Sequence, residues 1–192
     1  MVKVKIEKAV IGIAGAGGLG SNLAISLARI GFKNFHIADF DLVEESNLNR
    51  QYYFRKDLGS LKVDALKENM ESVVDDLKVN IYSEKIDSKN IARIFSKVDL
   101  MVEALDDPKE KAMLVEEFRK RWDKPIIAAS GIGGFKSSNS IKTRKISRNF
   151  YLVGDEDRTD EEEELFLAPR VIIAANHQAN MVLRLIMNKE EA

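Results

Sequence analysis

The strongest constraint on this chain is Gly12-Ile13-Ala14-Gly15-Ala16-Gly17-Gly18-Leu19-Gly20, placed directly after the apolar run Ala9-Val10-Ile11. Nineteen positions past Gly20 stands Asp39, at the end of a second apolar run. A glycine turn between a strand and a helix lets the backbone approach a phosphate, and the free amides at the helix start donate to it. An acid at the tip of the next strand suits ribose hydroxyls. The pattern predicts an adenine-nucleotide site built on Gly15, Gly17, Gly18, Gly20 and Asp39. Glycines also serve tight helix–strand packing, and Asp39 alternatively caps a loop amide. Gly20 is followed by Ser21-Asn22 rather than Lys and Ser/Thr, which excludes a Walker A loop.

The next stretch, Asp39-Phe40-Asp41-Leu42-Val43-Glu44-Glu45-Ser46-Asn47-Leu48-Asn49-Arg50-Gln51, is more than an ordinary dehydrogenase needs. Arg50 ends a polar loop, and a guanidinium matches polyphosphate through forked hydrogen bonds. Asp41 is read as a cap or orienting group for the Ser46–Arg50 loop. Lys62 stands at the start of an expected helix, where a lone cation is electrostatically misplaced unless an anion compensates. Asp106 and Asp107 follow the fourth expected strand and precede Pro108. Carboxylates there could hold Mg²⁺ against a triphosphate, or cap the following helix. Asp106 is read as the metal ligand and Asp107 as the cap.

Composition removes whole mechanism classes. The chain has no cysteine, which excludes disulfides, Cys-ligated zinc, a thiol nucleophile and a protein-bound thioester. Only His36 and His177 are available for a histidine metal cluster or a Ser-His-Asp triad. A net charge of −1 argues against general attraction to nucleic acid. No apolar run approaches the ~20 residues of a membrane helix. The N-terminus is expected to run straight into the first strand and lacks a signal-peptide profile, so a cytoplasmic location is expected.

Apolar strands alternating with helical patterns predict an α/β fold with a mostly parallel sheet. Strands are expected near 9–14, 34–39, 79–82, 100–104 and 125–129. Helices are expected from Leu19, with Leu23, Leu27 and Ile30 on one face, until Gly31; near 61–74, with Leu66, Met70 and Val73 inward; near 88–95; from Pro108 to Trp122; and over 165–187, with Val171, Ala175, Gln178, Val182, Leu185 and Ile186 on one face. Residues 140–152 alternate in parts and predict antiparallel strands at a sheet edge. The acidic stretch 154–164 predicts a solvated loop.

Taken together, Gly15-x-Gly17-Gly18-Leu19-Gly20, Asp39-Phe40-Asp41, Ser46-Asn47-Leu48-Asn49-Arg50-Gln51, Gly59-x-x-Lys62 and Asp106 resemble the ThiF/MoeB/HesA family, bacterial relatives of ubiquitin-activating enzymes. The resemblance is strongest over residues 9–135. The stretch from Ser137 through Phe150, with Ala168-Pro169-Arg170 and His177-Gln178-Ala179-Asn180, looks like a short ThiF subgroup linked to thiamin biosynthesis. The resemblance implies a single Rossmann-like α/β domain with helices on both faces and antiparallel edge strands. Residues 1–135 would form its nucleotide-binding core, and 136–192 its edge strands, crossover loop and last helix.

The resemblance further implies ATP-dependent adenylation of the C-terminal glycine of a ThiS-type ubiquitin-like sulfur carrier with a Gly-Gly tail. Gly18 would line the phosphates, Asp39 hold the ribose, and Ser46, Asn47, Asn49 and Arg50 border the triphosphate. Arg50 and Lys62 would stabilise charge, and Asp106 would bind Mg²⁺, with Asp107 beside it. A homodimer, no zinc, a separate sulfur donor protein, and no nucleic acid or membrane partner are expected. The loop at 153–164 is expected to cross over the bound tail. The chain departs from the family in lacking zinc cysteines and an N-terminal arginine, and in carrying Asp107 and Lys111 where Asn and Arg are usual. Two other readings are an NAD(P)-dependent oxidoreductase, which leaves Asn47–Gln51 and Lys62 idle, and a nucleotide-binding scaffold without catalysis.

Overall fold

A computed structural model describes residues 2–155 and 165–192. Seven strands form one sheet in the order β3-β2-β1-β4-β5-β7-β6. They are β1 (Val10–Ala14), β2 (Asn34–Ala38), β3 (Lys78–Tyr82), β4 (Leu100–Glu103), β5 (Ile126–Ser130), β6 (Lys142–Ser147) and β7 (Phe150–Gly154). The helices are α1 (Val2–Lys8), α2 (Gly18–Arg29), α3 (Lys62–Glu71), α4 (Ile91–Phe95), α5 (Pro108–Arg121) and α6 (Ala168–Ile186). The central strands read as continuous apolar runs because both faces are covered. The core on one face is formed by Ile6, Leu23, Leu27, Leu66, Met70, Ala175 and Val182, from α1, α2, α3 and α6. That on the other is formed by Ile91, Phe95, Leu114 and Phe118, from α4 and α5.

The chain steps from β1 to β2 to β3 in one direction, then returns to place β4 on the other side of β1. The reversal lies between β1 and β4, and open α/β sheets form their ligand crevice at such a switch point, beyond the carboxyl ends of the strands. Ala14 pairs with Ala38 on one side and Glu103 on the other. The turns after β1, β2 and β4 therefore leave the sheet side by side.

Three expectations are corrected and one is refined. The N-terminal residues form α1 instead of running into β1. Val2-Lys3-Val4-Lys5-Ile6 alternates like a strand, but Val4 is exposed while Ile6 is buried, and the Ala9 amide bonds back to the Lys5 carbonyl. Ile30 leaves the α2 face, 47% exposed, because the helix ends at Arg29 and Gly31 turns the chain with φ +105°. The antiparallel pair expected at the sheet edge is present as β6 and β7, and among the described strands β6 alone runs against the rest. Asn149, at φ +59°, closes a tight hairpin that returns β7 between β6 and β5, parallel to β5. Within the stretch read as a solvated loop, Gly154 ends β7, and Asp155 is buried against Arg170 at 3.1 Å. Residues 156–164, and with them the crossover loop, lie outside the described residues. Among the described residues no helix is long and apolar enough to cross a membrane.

Candidate active site

A cavity of about 670 Å³ opens at the carboxyl ends of β1, β2, β4 and β5. Gly15, Gly17, Gly18, Asp39, Asp41, Arg50, Lys62 and Asp106 line it, whereas Gly20, Ser46, Asn47, Asn49 and Asp107 are not in its wall.

The glycine turn fits because two positions admit no side chain. Gly15 has φ +95°, and a Cβ there would lie 2.4 Å from the Ala104 carbonyl oxygen. A Cβ on Gly20 would lie 1.8 Å from the Gly15 carbonyl oxygen. Gly20 therefore lets α2 start close against the end of β1, while Gly17 and Gly18 face the cavity. This is the close strand–helix approach that dinucleotide-type turns require.

Asp39 is held by backbone donors. Its Oδ2 accepts from the Ala16 amide at 2.6 Å and its Oδ1 from the Asp41 amide at 2.9 Å. Burial raises its carboxyl above the usual aspartate value, with those two amides acting in the opposite sense. Lys62 is buried as the first residue of α3, and Asp41 supplies the anion that this position demands. Lys62 Nζ donates to Asp41 Oδ2 at 2.8 Å. Asp41 thus pairs with Lys62 and makes no side-chain bond to the Ser46–Arg50 loop among the described residues.

That loop is stitched from within. Asn47 Oδ1 accepts from the Glu44 amide at 3.0 Å, and the Asn47 carbonyl accepts from the Arg50 and Gln51 amides. Arg50 Nη1 donates to the Ser46 carbonyl at 3.0 Å and to Asn49 Oδ1 at 2.9 Å. Ser46, Asn47 and Asn49 therefore shape the loop that presents Arg50.

After β4 the two aspartates separate in role. Asp107 caps α5, its Oδ1 accepting from the Lys109 and Glu110 amides, and these amides hold its carboxyl below the ordinary range. Asp106 is exposed at the cavity wall, and its Oδ1 accepts from the Asp107 amide. Among the described residues no group of three or more His, Cys, Asp or Glu could hold a metal ion.

One group behind the cavity wall escaped sequence reading. Glu103 is fully buried, and its Oε1 accepts from Lys111 Nζ at 2.8 Å and from the Leu105 amide at 2.7 Å. Burial raises the Glu103 carboxyl, opposed by Lys111. Lys111, which lines the cavity, also donates to the Leu105 carbonyl, so this ion pair braces the turn leading to Asp106. The signal was available: an acid inside the apolar run Leu100–Ala104 must find a partner. The opposite wall, Gly131, Ile132, Gly133, Phe166 and Val171, offers backbone and apolar surface.

The ThiF family model matches residues 2–192. The adenylyltransferase and sulfurtransferase uba4 of Aspergillus niger is 33% identical over 131 residues, 68% of this chain and 27% of that protein. The SUMO-activating enzyme subunit 2 of Dictyostelium discoideum is 32% identical over 139 residues, 71% of this chain and 21% of that protein. The chain thus spans less than a third of the length of these curated relatives. Among solved structures, the tRNA N6-threonylcarbamoyladenosine dehydratase TcdA of E. coli, in complex with ATP, superposes with a TM-score of 0.88 at 21% identity, covering 98% of this chain and 89% of that one. At that identity the likeness concerns the fold.

Proposed function

The chain belongs to the ThiF family, and on that premise we propose that it uses ATP to adenylate the C-terminal glycine of a ubiquitin-like sulfur carrier of the ThiS type, acting as a homodimer in thiamin biosynthesis. The observation that carries this reading is the convergence of the Gly15–Gly18 turn, Asp39, Arg50, Lys62 and Asp106 on one cavity at the switch point of the sheet. ATP would lie with its ribose at Asp39 and its phosphates over the start of α2, flanked by Arg50 and Lys62. The carrier's terminal carboxylate attacks the α-phosphorus, a new carboxyl–phosphorus bond forms, and the α–β anhydride bond breaks to release pyrophosphate. The attacking group is already an anion, so the step needs neither a protein nucleophile nor a general base. Positioning and charge neutralisation do the catalytic work.

Mg²⁺ suits the donor set as an ion carried by the phosphates. Magnesium commonly takes one or two carboxylates plus substrate phosphates and waters, and Asp106 supplies one exposed carboxylate at the cavity wall. Bound there, it would offset charge on the triphosphate. This chain has no cysteine, so its own chemistry ends at the acyl-adenylate and sulfur comes from a separate protein.

The test is mass spectrometry of a ThiS-type carrier incubated with the protein, ATP and Mg²⁺. An AMP adduct on the intact carrier, absent when the terminal glycine is removed, is the expected result. An unmodified carrier in the presence of ATP-bound protein would overturn the reading.

A further inference from the structure

We propose that the Tyr53 hydroxyl is a positioning group that locks the glycine turn to the helix carrying Lys62, and so sets the width of the phosphate end of the cavity. The inference rests on the nucleotide reading of that cavity.

Three segments distant in sequence must meet there: the turn at 15–18, the loop ending in Arg50, and the first residue of α3. Tyr53 is 5% exposed and does not line the cavity. Its hydroxyl donates to the Ala16 carbonyl at 2.7 Å and lies 3.2 Å from the Lys62 carbonyl. A phenol has one proton, so the two carbonyls share it. Ala16 is held from its other side as well, since its amide donates to Asp39.

A closed circuit results. Asp39 accepts from the Ala16 and Asp41 amides, Asp41 accepts from Lys62 Nζ, and Lys62 and Ala16 are joined through the Tyr53 hydroxyl. Tyr53 is the one side chain in this circuit that is neither charged nor in the cavity wall. Two neighbouring bridges act between other pairs of segments. Ser21 Oγ donates to the Gly17 carbonyl and accepts from the Tyr52 amide. Asn22 Nδ2 donates to the Gly18 and Arg50 carbonyls. Both tie the turn to the Arg50 loop; Tyr53 ties it to Lys62. Burial, and after it the carboxylates of Asp39, Asp57 and Asp41, push the phenol far up, so the hydroxyl remains a donor throughout the working range.

The ring also fills the core, and a filler role alone would be met by phenylalanine. Tyr53→Phe keeps the ring and removes the one proton that the Ala16 and Lys62 carbonyls share. The glycine turn and Lys62 then keep only the arm of the circuit that runs through Asp39 and Asp41. A ligand that spans both should suffer, and one that stops at the ribose should not.

The experiment is calorimetric titration of the full chain with Mg·ATP and, separately, with adenosine, for wild type, Y53F and the neighbouring control Tyr52→Phe. ATP affinity of Y53F is expected to fall roughly tenfold, about what the net loss of one hydrogen bond produces. Adenosine affinity should stay within about twofold, and Y52F should match wild type for both. A double-mutant cycle of Y53F with Lys62→Met should be non-additive, as expected for residues in one network. Equal ATP affinities for wild type and Y53F, or equal losses for ATP and adenosine, would overturn the Tyr53 role whatever the melting temperature does. Wild-type protein that binds no ATP would overturn the nucleotide reading itself.

Discussion

Between Gly15 and Lys62 the charged groups of the cavity wall are fixed by hydrogen bonds: Asp39 on the Ala16 and Asp41 amides, Arg50 on the Ser46 carbonyl, and Lys62 on the Asp41 carboxylate. On the opposite side, Gly131–Gly133 and the start of α6 offer almost no charge to the cavity. That side depends on Arg170, a buried guanidinium behind the wall. Arg170 donates to the Lys136 and Ser137 carbonyls at 2.9 Å and to Asp155 Oδ2 at 3.1 Å. Ser140 Oγ also donates to Asp155, the Asp155 amide bonds to the Gly131 carbonyl, and the Gly134 amide bonds to the Leu165 carbonyl. One wall is built from many small fixings that double as chemistry. The other is built from one expensive knot that only shapes it. Damage to the first should appear in catalysis, and damage to the second in folding.

Arg170→Met is the severest way to test that division. Removing one partner of a buried ion pair typically costs ~3–5 kcal/mol. Urea denaturation should show a loss of that size, and a loss below ~1 kcal/mol would show that the knot does not hold the wall. Arg50→Ala and Asp106→Ala should do the reverse. Each is expected to cut carrier adenylation by ~10²–10³ while the melting temperature barely moves, since removing one group that stabilises transition-state charge costs about that much. Near-wild-type turnover in both would remove them from the site.

Acid titration sharpens the contrast. Burial raises the Asp39 carboxyl, so it takes up a proton at a higher pH than an ordinary aspartate. The folded state then binds the proton more tightly than the unfolded chain. Asp39's contribution to stability is therefore fully present at low pH and is lost as pH rises through its folded value. Nucleotide binding runs the opposite way, because a ribose hydroxyl needs the carboxylate as acceptor. ATP affinity should weaken on the acid side in wild type, and Asp39→Asn should bind ATP weakly with that acid-side fall abolished. An unchanged profile in the mutant would detach Asp39 from the ribose. The smallest effect is expected from Asp107→Ala: a modest fall in melting temperature from the lost cap, with ATP affinity unchanged.

The same contrast explains what could be read from sequence. The glycine turn, Asp39 and the Pro108 helix are local patterns, each legible within a few residues of itself. The buried partnerships are not. Glu103 and Lys111 are eight positions apart, and Arg170 and Asp155 fifteen. Tyr53 meets Ala16 across thirty-seven. Such pairs exist only after the sheet has brought distant turns together. The misreadings have the same origin. The alternation in Val2–Ile6 suits a strand, yet α1 packs against α6 and the core position offered to Ile6 suits a helix. The order of β6 and β7 follows from β7 pairing with β5, which the alternation of neither strand reveals.

The most direct test of the central claim is exchange of labelled pyrophosphate into ATP in the presence of a ThiS-type carrier ending in Gly-Gly. Exchange that requires Mg²⁺, the intact tail and Arg50 is the predicted result, because the acyl-adenylate must form reversibly in this cavity. ATP bound to the protein with no exchange in the presence of that carrier would contradict the claim.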